Sequence, residues 1–191
     1  MASTERYVSV TGGGAHDGTT EADAWTLAEA IAAPYAAGQR INVKAGTYAK
    51  TTTSRTFGIS GTTTSTIWWR GYKTTIGDMD VEPTAPRTAG TDFPLLTFTS
   101  GVVTMSGNYQ TFSNFEFRGT APGGTFVGGN GTHLRLDRVR LDCQEAASTS
   151  YTIRLGGNGV VCTRCWIKGT TSVNNVIVVE ERFTFHGCVI L

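Results

Sequence analysis

LRLDRVRLDC, residues Leu134 to Cys143, alternates apolar and charged side chains through Leu134, Arg135 and Leu136, stops at Asp137-Arg138, and resumes through Val139, Arg140 and Leu141. Alternation is the mark of a strand with one buried face. A two-residue pause followed by the same rhythm is the mark of a bend that returns the next strand to the same interior. Three other segments share this form: QTFSNFEFRG (110–119), VVCTRCWIKG (160–169) and FTFHGCVIL (183–191). Each reads apolar-x-x-apolar-x-apolar. The equivalent positions Phe112, Leu136, Cys162 and Phe185 are separated by 24, 26 and 23 residues. Phe115, Val139, Cys165 and Cys188 follow three residues on, and Phe117, Leu141, Ile167 and Ile190 two beyond those.

A period of 20 to 30 residues marks a solenoid. The pairs Ser113-Asn114, Asp137-Arg138, Thr163-Arg164 and His186-Gly187 are then corners. Asn and Gly at the second corner position suit a left-handed backbone, and Arg suits it less well. Asn108 and Asn158 fall at another corner with Asn130 two residues out of step, and stacked Asn amides are expected there. Neither a leucine-rich spacing nor a six-residue period is present.

The 191 residues fit one domain with a sizeable core. Charged residues make up 16%, the net charge is +1, and no long basic run occurs, which disfavours nucleic acid as a partner. No window reaches the ~20 apolar residues of a bilayer span, so no membrane association is expected. MASTERYVSV lacks a basic patch followed by an apolar stretch, so a secretory signal is either removed or replaced by another route out of the cell. Three of the four cysteines, Cys162, Cys165 and Cys188, fall at inward positions and are expected to be buried free thiols.

TEADAWTLAEAIAAPYAAGQR (20–40) is the one convincing helix, with Thr20 as expected N-cap and Trp25, Ala28, Ile31 and Ala32 on one face. Pro34 disturbs it and Gly38 ends it. RINVKAGTY (40–48) follows as a strand and a glycine turn. The segment YVSVTGGGAHDGTTEADAWTLAEAIA through AGQRINVKAGTY resembles the leading part of many right-handed parallel β-helices of the pectin-lyase-like superfamily. The later corners match that superfamily's rhythm. The resemblance implies an all-β, right-handed parallel β-helix with one short N-terminal capping α-helix. Residues 1–50 would form the leading strand and cap, and 51–191 the rungs. It also implies a choice of functions, because this fold carries lyases, hydrolases, adhesins and virion proteins.

Polysaccharide lyases of the superfamily need an Arg or Lys base and often carboxylate-held calcium on an outward face, and its glycosidases need clustered Asp there. The register gives two outward columns, Glu116-Arg140-Trp166-Val189 and Arg118-Asp142-Lys168. Surface ion pairs and a cation–π contact between Arg140 and Trp166 account for these as well as a catalytic set does. No catalytic residue, metal or cofactor is therefore assigned. Asp78, Asp80 and Glu82 read as loop acidity, and Cys162-x-x-Cys165 lacks the second pair of a zinc site. Candidate carbohydrate contacts are Trp68, Trp69, Arg70, Arg140 and Trp166, with one of the adjacent tryptophans inward.

The expected function is a structural virion component, such as a tail spike, fibre or capsid decoration protein. The alternatives are the leading part of a polysaccharide lyase or glycoside hydrolase, and a surface carbohydrate-binding adhesin. The expected partners are further copies of the chain or other virion proteins and a polysaccharide, in a virion or extracellular setting. CVIL leaves Phe185, Cys188 and Ile190 without a rung beneath, which a longer coil or a partner would cover.

Overall fold

A computed structural model of the chain describes residues 5–50, 55–81, 85–98, 101–119, 124–128, 131–143, 153–169, 177–179 and 182–191. The chain coils as a parallel β-helix with three faces. The first face stacks β1 (Glu5–Val8), β2 (Arg40–Lys44), β5 (Ile67–Tyr72), the first half of β8 (Gln110–Gly119), the first half of β10 (Leu134–Cys143), β12 (Val160–Thr163) and β15 (Phe183–His186). The second stacks β3 (Gly46–Lys50), β6 (Pro94–Phe98), the later halves of β8 and β10, β13 (Trp166–Gly169) and β16 (Val189–Ile190). The third holds β4 (Arg55–Phe57), β7 (Gly101–Met105), β9 (Gly124–Gly128), β11 (Ile153–Leu155) and β14 (Ile177–Val179). Every pairing between these strands is parallel. The first full rung begins at Arg40, inside the segment read from sequence as the approach to the coil.

The register places Phe112 opposite Leu136, Leu136 opposite Cys162, and Cys162 opposite Phe185. Above them the column continues through Trp69 to Ile41. Trp69 and Phe112 stack with ring centroids 5.9 Å apart and planes 2° from parallel. Phe115, Phe117, Leu136, Val139 and Leu141 are fully buried. Each such side chain stabilises the coil by ~1.5–3 kcal/mol through apolar burial.

Each corner has a physical signature. Asn114, Arg138, Arg164 and Gly187 have φ of 60°, 52°, 53° and 58°, so the second residue of all four bends is left-handed. A second left-handed column, not foreseen, runs through Tyr109, His133, Gly159 and Arg182 at 51°, 60°, 85° and 51°. Tyr109 and His133 stack there at 4.5 Å. Beside it, Asn108 Oδ1 accepts from the backbone N–H of Thr132 at 2.8 Å, so a threonine fills the place where a stacked Asn was expected. Asn130 lies outside the described residues.

The helix, α1, covers only Leu27–Ala32. Its N-cap is Thr26 rather than Thr20, because Thr26 and Glu29 form a reciprocal capping box that starts the helix six residues later. Thr20 instead bonds the side chain of Asp23. Leu27 and Ala30 are buried, Trp25, Ile31 and Tyr35 pack beside them, and Ala28 and Ala32 face solvent. Tyr35 meets Trp25 and Trp69 edge-on at 5.8 and 5.9 Å, which ties the cap to the top of the core stack.

Candidate functional site

Between β5 and β6 the corner of the second rung is replaced by a long insertion, described over residues 73–81 and 85–93. Asp78 shapes its first turn by accepting from the N–H groups of Lys73, Thr74 and Thr75 at 3.0, 2.8 and 3.0 Å. Asp80 then pins the insertion to the coil. Its carboxylate accepts from Arg70 and from Asn114 Nδ2 at 2.9 Å, while its carbonyl accepts from Arg138 Nη1 at 2.7 Å. Arg70, Asn114 and Arg138 come from three successive rungs. The insertion is thereby laid down the outside of the bend column as a strap.

The strap forms one wall of a cleft of about 540 Å³ whose floor is the outward side of the second face. Strand alternation puts Glu116, Arg140, Trp166 and Val189 in one column of that floor, and Arg118, Asp142 and Lys168 in the next. Met79, Arg87 and Phe93 project from the strap. Arg87 is held by the carbonyls of Met79 and Val81 at 2.8 and 2.7 Å.

Glu116 is only 3% exposed, although its column faces outward, and its carboxylate has Arg118 and Arg140 against it. Arg118 Nε donates to Glu116 Oε1 at 2.7 Å and lies 3.9 Å from Asp142. Arg140 stands 3.9 Å from Glu116 with its guanidinium 5.1 Å over the Phe93 ring. The aromatic partner found for Arg140 is thus a residue of the strap, while the Trp166 ring carries Lys168 at 6.0 Å. Five arginines (87, 118, 138, 140, 164) and two carboxylates (116, 142) line the cleft, an excess of three positive charges. Asp80 and Asp137, paired with Arg138 and Arg164 behind the wall, reduce the local excess to one. Arg118 and Arg140 share Glu116, Arg118 also nears Asp142, and Arg87 is bound to backbone carbonyls, so the remaining positive charge is spread over these three.

Of the residues singled out from sequence, Arg140 and Trp166 line this cleft. Trp68 stands on the adjoining first face, its Nε1 donating to Ser113 at 2.8 Å, with Arg40 and Arg70 over its ring at 5.4 and 5.0 Å. Arg70 is turned toward the strap by Asp80. Trp69 is 1% exposed in the core stack and cannot meet a ligand, because its neighbour Trp68 takes the outward position. Sequence reasoning did not include Arg87 and Phe93, since no pattern tells where an insertion folds back. Arg118, Glu116 and Asp142 were visible as columns but not as one wall of an enclosure.

Asp78 and Asp80 are occupied by the contacts above, and Glu82 is outside the described residues. Cys162 and Cys165 are buried, Cys188 packs against the same core, and His186 is exposed. Among the described residues, no group of three or more His, Cys, Asp or Glu side chains is arranged to hold a metal.

The architecture is that of a parallel β-helix. The sequence matches no protein-family model, and no curated protein matches it. Among solved structures, pectate lyase Pel9A is similar over 92% of this chain, at 14% identity and a TM-score of 0.48. The chain spans 57% of the length of that enzyme.

Proposed function

We propose that the chain is a recognition scaffold whose cleft holds a stretch of acidic polysaccharide, displayed as a structural component on a virion or outside a cell. The observation that carries this reading is the presence, in one open cleft and on successive rungs, of the Arg118 and Arg140 guanidinium groups and the half-buried ring of Trp166. Guanidinium forks match carboxylates in a bidentate manner. Aromatic faces take the apolar sides of sugar rings. A stack of rungs fixes these groups at a repeat of ~4.8 Å, which suits an extended chain better than a compact ligand.

Titration calorimetry against uronic-acid and neutral polysaccharides tests it. Binding should favour the acidic polymers, weaken as salt rises from about 50 to 500 mM, and fall about tenfold or more in Arg140→Ala or Trp166→Ala. Equal affinity for neutral polymers, or unchanged binding in both variants, refutes the reading.

A second reading, the leading part of a polysaccharide lyase or glycoside hydrolase, is favoured by Glu116, Arg118 and Asp142 lying on one face. Release of unsaturated or reducing sugar ends from the bound polymer, lost in Asp142→Asn, would select it. Recovery of the chain in purified particles would select the virion setting over a cell-surface one.

A further inference from the structure

The inner column at the bend ends in two thiols. Phe115 pairs with Val139 in register, and Cys165 and Cys188 continue the column on the next two rungs. Their stacking is fixed by the hydrogen bonds on either side of the bend: Arg164 N–H to His186 O at 2.8 Å and Val189 N–H to Cys165 O at 2.9 Å. In-register neighbours on parallel strands have α-carbons ~4.8 Å apart, inside the 4.4–6.8 Å range that a disulfide spans.

The Cys188 sulfur is also directed toward the rung above. In its own rung it contacts His186 O at 3.6 Å. It reaches up one rung, where it accepts from the Cys165 backbone N–H at 3.4 Å and donates to Cys162 O at 3.3 Å. Cys165 Sγ donates to Leu136 O on the rung above and to Thr163 O in its own rung, both at 3.4 Å, so a rotation about its Cα–Cβ bond is what brings it down to Cys188 Sγ. Cys162 is set deeper, at 0% exposure in the first-face column over Phe185, with its strand held in register on both sides. Cys165 is 2% exposed, whereas Cys188 is partly open to solvent.

We infer that Cys165 and Cys188 are a covalent modification site: under oxidising conditions they join as a disulfide that staples the rung of β15 and β16 to the rung above. A small-molecule disulfide such as oxidised glutathione is the oxidant. The accessible Cys188 thiolate attacks it, forming a mixed disulfide and releasing one thiol. Cys165 thiolate then attacks Cys188 Sγ and expels the second glutathione thiolate, so two protein thiols are oxidised, one glutathione disulfide is reduced, and the two protons lost by the protein thiols are taken up by the two glutathione thiolates. Partial burial raises the Cys188 pKa, so the first step quickens as the pH is raised toward that of the thiol. Cys165, Gly187 and Val189 all border the cleft, so the staple fixes its lower edge. The inference stands on strand register and on the direction of Cys188 Sγ, and does not depend on the ligand proposed above.

The test uses the full chain incubated with oxidised glutathione at about pH 8 and mapped without reduction. The expected result is loss of two free thiols and a peptide pair joining Cys165 to Cys188. A rise of about 5 °C in Tm should accompany it, abolished by a dithiol reductant and by Cys188→Ser but retained in Cys162→Ser. A Cys188 that remains glutathionylated, a linkage through Cys162 or Cys143 instead, or an oxidised chain with unchanged Tm each overturns it. The peptide map of the unmutated chain decides the pairing even where a variant fails to fold.

Discussion

Arg138 and Arg164 hold backbone angles that side-chain-bearing residues avoid at a cost of ~1–2 kcal/mol. They are retained for different reasons. The Arg138 guanidinium donates to Asn114 Oδ1 at 3.0 Å and the Asp80 carbonyl, and pairs with Asp137 at 2.9 Å, so its side chain joins strap and corner. Arg164 is half exposed and pairs with Asp137 at 2.7 Å. Removing the side chain should therefore matter less at Arg164 than removing the left-handed strain. We expect Arg164→Gly to be more stable than Arg164→Ala by about 1 kcal/mol in urea denaturation. Equal stability of the two would show that the corner is not strained by a β-carbon. At this scale alternation alone decides orientation in the sequence, as for Phe112, which is buried, or Arg140, which is not. It was ambiguous at Trp68-Trp69, because two identical neighbours carry no sign of which one faces in. Burial settled that, with Trp69 joining the Phe57 and Phe112 rings in the core.

Among the elements, the strap is the one that sequence could not place. Four rungs were legible because each repeats its apolar spacing on either side of a two-residue corner. The rung of β5 and β6 has the same inward columns but carries residues 73–93 between its halves, which hides the period. The helix was overread for a related reason: alanine-rich composition extends well beyond the single capped turn and a half that Thr26 and Glu29 define. Asp80 is the point at which the strap is held, receiving Arg70, Asn114 and Arg138 together in a partly buried setting. Asp80→Ala leaves two arginines without their shared carboxylate and should destabilise the fold by about 2–4 kcal/mol. It should also weaken polysaccharide binding, since Phe93 loses its position beneath the Arg140 guanidinium. A loss below about 0.5 kcal/mol in equilibrium denaturation would mean that the apolar contacts of Met79 and Phe93 hold the strap unaided.

For the molecule as a whole, acid should be more damaging than the near-neutral net charge suggests. Glu29 is held down to about 2 by its bond to His16 and by the Thr26 cap. Partial burial pushes Asp78 up, but the N–H groups of Thr74, Lys73 and Thr75 outweigh it and leave its pKa lowered. Asp92 is lowered by Lys73 and the Thr88 N–H. A carboxylate with a depressed folded pKa contributes stability that is complete above its unfolded pKa and lost as the pH falls toward the folded one. For Glu29 that window runs from its ordinary 4.5 down to about 2. Tm should hold steady above about pH 5 and fall steadily below it, and Glu29→Gln should flatten part of that fall. A Tm independent of pH from 5 to 2.5 would contradict these assignments. The uninterrupted pairing of β5 with β8 and of β6 with β8, on either side of the insertion, bears on how such a chain can change over time. Length added at a vertex leaves the winding above and below undisturbed. What the molecule grips can therefore be rewritten at its edges while the shaft that carries the grip stays as it was.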